Sequence, residues 1–168
     1  IDFCIVGEPT NPNKLGEMIK IGRRGSISGT ITISGSQGHV AYPHLSNNPI
    51  NTMVKICKKL NEKKLDNGNR NFQPSNLEFT SINVDNKAAN VIPASAKAQF
   101  NIRFNNLHTS GGLKKKINSM VKSLSKKNKC KFKIDFHVSG ESFLTKPNKT
   151  IHMARNIIKK VTKITPIF

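Results

Sequence analysis

From Ala96 to Phe104 every second residue is apolar: Ala96, Ala98, Phe100, Ile102 and Phe104, with Lys97, Gln99, Asn101 and Arg103 between them. Only an extended strand puts alternate side chains on opposite faces, so this run predicts a strand buried on one side and wet on the other. Ser26 to Ser34 repeats the pattern, with Ile27, Ile31 and Ile33 on one face and Ser28, Thr30 and Thr32 on the other. Phe132, Ile134, Phe136 and Val138 predict a third strand. Leu77 to Val84 predicts a fourth, whose alternation slips between Phe79 and Ile82 as it would at a bulge. Strands of this kind need an apolar cover on one face only.

Two helical stretches supply that cover. Asn48-Pro49 offers a cap followed by proline at the first helical position. Ile50, Met53, Val54, Cys57 and Leu60 then recur at helical spacing, which predicts a helix to about Lys64. Asn67-Gly68 and Pro74 mark a loop. Thr109 or Ser110 caps a second helix, with Leu113, Ile117, Met120, Val121 and Leu124 on one stripe. The order is β-α-β-β-α-β over 22–138, an α+β, ferredoxin-like two-layer sandwich.

The flanks do not fit that sandwich. Asp2 to Gly7 reads as a strand buried on both faces. Asn148 to Val161 predicts a helix with Ile151, Ala154, Ile158 and Val161 inward, and Ile164 to Phe168 begins another strand. The expected division is 1–21, an edge of a larger α/β domain; 22–138, the inserted sandwich; and 139–168, the return into the larger domain.

No apolar run approaches the roughly 20 residues a membrane-crossing helix needs, so no membrane partner is expected. The first residues lack a basic leader, and Cys4, Cys57 and Cys130 are scattered and odd in number. They read as reduced core residues of a cytoplasmic protein. Lysine and arginine number 28 against 9 acids, a formal charge of +19. Such an excess suits either a solvated lysine face or an anionic partner. Nucleic-acid binding on a sheet also needs aromatics on the wet face, and Phe100 and Phe104 fall in the buried register. Nucleic acid is therefore not the expected partner.

The connection GSQGHVAYPHLSNNP, 35–49, is long for a compact domain and holds the only tyrosine and two of the five histidines. There is no HExxH, GxSxG, P-loop, GxGxxG or CxxC. Glu8, in GEPT, ends the first apolar run, and strand ends of α/β sheets are where ligand sites collect.

GEPT, IKIGRRGS (19–26), the 35–49 connection, NVIP (90–93), NIRF (101–104), and Ser139-Gly140 followed by Phe143-Leu-Thr145 form an ordered series. It resembles the two-zinc aminoacylase/carboxypeptidase family of amidohydrolases. The resemblance implies a zinc-binding catalytic domain interrupted by a ferredoxin-like lid, with the lids pairing into a homodimer. This chain would be the lid and its flanks, lacking most metal ligands and the general base, and inactive alone. Two zinc or cobalt ions would serve the complete enzyme. The implied reaction is hydrolysis of an N-succinylated diamino-diacid in lysine biosynthesis, a small carboxylate-rich substrate. The alternatives are another deacylase or dipeptidase of the family, or, in a different class, a ferredoxin-like nucleic-acid-binding module.

By the same resemblance, Glu8 matches a metal ligand. His39 matches a histidine presented to the partner subunit's active site, where it would stabilise the oxyanion. Arg103 matches a clamp for a substrate carboxylate, the pairing arginine makes better than lysine. Asn90, in the hairpin before that strand and expected close to Arg103, matches a substrate donor. Tyr42, Arg23, Ser26, Ser139 and Gly140 match substrate-contact or hinge positions. His44 is expected to serve the loop, and His108, His137 and His152 to lie on the surface. The candidates for the dimer contact are the run from Asn48 to Lys64 and the strand from Ser26 to Ser34.

Overall fold

The structure is a computed structural model describing residues 3–8 and 11–168. The chain forms two compact units, one of 24–143 and one of 1–23 with 144–168.

In the first unit the strands are β1 (Gly25–Ser34), β2 (Gly38–His39), β3 (Asn76–Asn83), β4 (Val91–Ile92), β5 (Ser95–Phe104) and β6 (Lys131–Gly140). The helices are α1 (Pro49–Asn61) and α2 (Ser110–Lys127). The main sheet is antiparallel in the order β3-β5-β1-β6, the ferredoxin-like arrangement the alternation implied. In register, Ile27 pairs with Ile102 and Val138, and Ile31 with Ala98 and Ile134, so all three strands point one face at the helices. Helix α1 packs over β3, β5 and β1, and α2 over β6 and β1. Ile27, Ile31, Ile33, Phe100, Ile102 and Phe104 are fully buried between the layers. The expected slip in β3 is a register shift between Phe79 and Ser81.

Gly29 interrupts the isoleucine alternation because Phe100 lies across it: a Cβ at Gly29 would stand 2.3 Å from that ring. Helix α1 begins where expected, with the Asn48 side chain accepting from the Ile50 N–H at 2.9 Å. Its inward stripe differs by one residue, since Ile56 is buried and Val54 is exposed. At 100° per residue Ile56 falls about 40° from Leu60, on the side of the buried Thr52, whereas Val54 falls about 100° from Met53 on the other side. In α2, Leu113, Ile117 and Val121 are buried as the spacing required.

Strand β1 is hydrogen-bonded on both sides and cannot pair with a second copy. The edges are β3 and β6, so β1 is corrected as a dimer-contact candidate.

In the second unit, α3 (Lys149–Thr162) is capped by Asn148, which accepts from the Ile151 N–H at 3.0 Å. Ile151, Ala154 and Ile158 are half-buried, but Val161 is exposed. Thr162 takes the inward position instead, packed so closely that a Cβ on Gly16 would lie 2.7 Å from its methyl. Ile167 forms a single parallel bridge with Met18, through Ile19 N–H to Ile167 O at 2.9 Å and Ile167 N–H to Glu17 O at 2.8 Å. Phe3 to Glu8 form no strand and are exposed, so the expected buried strand is corrected, and Cys4 is exposed with them. The described residues hold no strand beside this run, and an apolar strand without neighbours has nothing to bury against. Asp2 lies outside the described residues. Among the described residues no helix is long and apolar enough to cross a membrane.

Candidate active site

The 35–49 connection is held at its base and exposed at its tip. Ser36 and Asn47 bridge it: Ser36 N–H donates to Asn47 O at 3.2 Å, and Asn47 N–H to Ser36 Oγ at 2.7 Å. Strand β2 pairs with β4, His39 opposite Val91, and Val40 N–H donates to the Asn90 carbonyl at 3.0 Å. His39 Nδ1 accepts from the Ala41 N–H at 3.1 Å. That bond occupies the Nδ1 lone pair, which assigns the neutral ring's proton to Nε2. His39 is exposed, so Nε2–H is a donor aimed outward by its own loop. The Tyr42 ring stands 6.1 Å from the His39 ring. Beside them an open cleft of about 470 Å³ is lined by Val40, Asn48, Ile50, Lys87, Val91 and Pro93.

A second group of candidates lies at the opposite end of the sheet. Arg103 is directly opposite Ser26 on β1, and Ser26 is opposite Gly140 on β6. The next pair is Ile27 with Val138, which leaves Ser139 as the extra residue of a bulge. Asn101 Nδ2 donates to Ser26 Oγ at 3.4 Å and to Ser28 Oγ at 3.0 Å. Ser26 is buried beneath this bond, whereas Arg103 is exposed and makes no ion pair among the described residues. Arg24 braces the corner, with Nη1 donating to Pro74 O and Asn76 Oδ1 at 3.2 Å each.

The expectation that Asn90 lies near Arg103 is corrected. Asn90 joins His39 where the chain enters β5 at Ser95, and Arg103 stands where β5 leaves. Eight residues at about 3.3 Å each separate the two groups by roughly 26 Å.

Glu8 and Arg23, both exposed, belong to the other unit. Among the described residues no three His, Cys, Asp or Glu side chains gather into a group able to hold a metal ion. Glu8 offers one exposed carboxylate, and the resemblance assigns the other metal ligands to residues outside this chain.

His108, expected on the surface, is half-buried against Asp66, with Nε2 3.0 Å from Oδ2. Asp66 also accepts from the Gly68 N–H at 2.6 Å, the Ser75 N–H at 3.2 Å and Asn105 Nδ2 at 2.8 Å. Burial pushes the Asp66 carboxyl up, but the bonds from Ser75, Gly68 and Asn105 outweigh it and hold the group well below the usual carboxylate range. The Asp-Asn-Gly turn at 66–68 was a visible signal of such a site, since Asp side chains bond the backbone two residues on.

The chain belongs to the peptidase dimerisation domain family, which residues 21–129 match. Among curated relatives it is 61% identical over 166 residues to a succinyl-diaminopimelate desuccinylase of Pelagibacter ubique, covering 99% of this chain and 43% of that protein. It is 48% identical over 166 residues to the protein of the same name from Parvibaculum lavamentivorans, covering 99% of this chain and 42% of that protein. The chain thus spans less than half the length of these relatives. Aminopeptidase PepT from Bacillus cereus shares the fold with a TM-score of 0.75 at 13% identity, over 94% of this chain and 40% of that one. An aminohydrolase structure from methicillin-resistant Staphylococcus aureus shares it with a TM-score of 0.70 at 15% identity, over 89% and 39%.

Proposed function

We propose that this chain is the pairing and substrate-closing part of a metal-dependent amidohydrolase that cleaves N-succinyl-diaminopimelate to succinate and diaminopimelate. The identity with succinyl-diaminopimelate desuccinylases supports the reaction. The observation that carries the arrangement is the separation of the candidate residues into two groups roughly 26 Å apart, one at each end of β5. A small substrate cannot touch both groups of one protomer. Two copies related by a two-fold axis can bring the His39 end of one to the Arg103 end of the other.

In this reading Arg103, with Ser26, Ser139 and Gly140, holds a substrate carboxylate by charge-assisted hydrogen bonds. His39 comes from the partner with Tyr42 and Asn90. Its Nε2–H donates to the carbonyl oxygen of the scissile amide as negative charge develops there, which favours the transition state over the ground state. Water attack on the carbonyl carbon belongs to the rest of the enzyme. Glu8 is the one carboxylate this chain would lend to a divalent metal, zinc or cobalt, as one of two ions per subunit.

The test is complementation between two impaired variants of the complete enzyme, assayed at substrate concentrations well below KM. His39→Ala should lower kcat by about 10²–10³. Arg103→Ala should mainly raise KM. After subunit exchange, each mixed dimer holds one site with both residues intact, so statistical mixing should restore about a quarter of wild-type activity. Verified exchange without recovery would mean that each subunit uses its own His39.

A further inference from the structure

The helix-free face of the main sheet continues past Arg103, and its next row presents chemistry that the proposed site has not used. In the first row Asn76, Arg103 and Ser26 are side by side; in the second, Glu78, Asn101, Ser28 and His137. We propose that His137 and Arg103 divide the carboxylates of the substrate between them, so that this face selects a diacid over a monoacid. The proposal rests on the amidohydrolase reading above.

Three features support it. First, position: His137 is two strands from Arg103 and one row along, which places their Cα atoms about 12 Å apart on one face. With both side chains leaning inward, that gap suits the two ends of a pimelate skeleton. Second, availability: His137 is exposed and makes no hydrogen bond among the described residues. Its acidic neighbour on the strand, Asp135, is held by Lys133 at 2.9 Å, and Glu78 lies at the far edge, on β3. Third, the floor between the two side chains is built of donors. Ser26 and Ser28 accept from Asn101 through their oxygens, which leaves both hydroxyl protons to donate. Such a floor favours an anion. His137 contributes an N–H in either neutral tautomer and a stronger, charge-assisted bond when protonated.

The complete enzyme, wild type and variants, should be assayed on N-succinyl-diaminopimelate and on Nα-succinyl-lysine, which lacks only the distal carboxylate. His137→Ala should raise KM for the diacid about tenfold, the factor for one charge-assisted hydrogen bond, and leave kcat unchanged. The same variant should leave kcat/KM for succinyl-lysine unaltered. His137→Gln, which keeps an N–H donor, should retain most of the discrimination. Equal losses on both substrates, or no loss on either, would overturn the role of His137 and leave the amidohydrolase reading standing. A wild-type enzyme that cleaves neither compound would overturn that reading itself, and this proposal with it.

Discussion

Four donors converge on Asp66, from Gly68, Ser75, Asn105 and His108, and together they tie the 62–75 loop to the end of β5 two residues after Arg103. The carboxylate is nearly enclosed, so each bond matters more than it would in water. Its folded-state pKa lies below the ordinary Asp value of about 3.9. The stability it contributes is therefore fully present above that value and is lost as the pH falls through it toward the folded pKa. Asp66→Asn places an amide where four donors converge and should cost about 2–3 kcal/mol at neutral pH. Thermal unfolding of wild type and variant from pH 7 to pH 3 checks this. The gap between them should narrow as the pH falls, and a gap independent of pH would mean that the charge plays no part.

At the level of elements, the sheet was legible because a period of two survives any context. The order of faces along β5 followed from five apolar residues, and the bulge in β3 followed from one slip. Helix faces were less legible: Val54 and Ile56 are both apolar and flank Met53 and Leu60 on opposite sides, so the choice turns on where the centre of the stripe falls. Phe3 to Gly7 looked buried because an apolar run implies neighbours, yet sequence alone cannot show that those neighbours are present. The site residues could be named one by one, but not their grouping. Asn90 precedes β5 and Arg103 stands near its end, so the length of β5 separates them, and the pairing of β2 with β4 brings His39 to Asn90.

Pairing also decides which edge is open. Strand β6 carries Lys131 and Lys133 outward, and edge lysines oppose pairing between copies. Strand β3 carries mostly uncharged residues, with Ile82 57% exposed, and α1 beside it leaves Val54 60% exposed. The α1–β3 edge is therefore the expected contact between copies. Val54→Asp with Ile82→Asp should weaken dimerisation of the complete enzyme at least tenfold, measured by sedimentation, whereas Lys133→Asp should leave it unchanged. The reverse result would move the contact to β6.

At the scale of the whole chain, the +19 charge has to be reconciled with a sheet whose helix-free face carries no Phe, Tyr or Trp. Phe100 and Phe104 are buried, and His137 is the one aromatic ring among the residues of β1, β3, β5 and β6 that face away from the helices. The single-strand recognition mode uses two or three stacking aromatics on such a face. A carboxylate-rich small molecule needs none. Nine lysines between Lys114 and Lys133, with no acid among them, run along α2 into β6, the strand that ends at Ser139 and Gly140. Lys114 lies with its Nζ 5.9 Å from the Phe136 ring centroid. Fields of this kind raise the encounter rate of an anionic ligand and are screened over about 10 Å at 0.1 M salt. In the complete enzyme, kcat/KM for N-succinyl-diaminopimelate should therefore fall several-fold between about 0.01 and 0.15 M ionic strength, with kcat unchanged. Replacing Lys115, Lys122, Lys126 and Lys127 by glutamine should flatten that dependence without altering kcat. If the slope is the same in the quadruple variant, the lysine face is solvated surface and the attraction arises at the site alone.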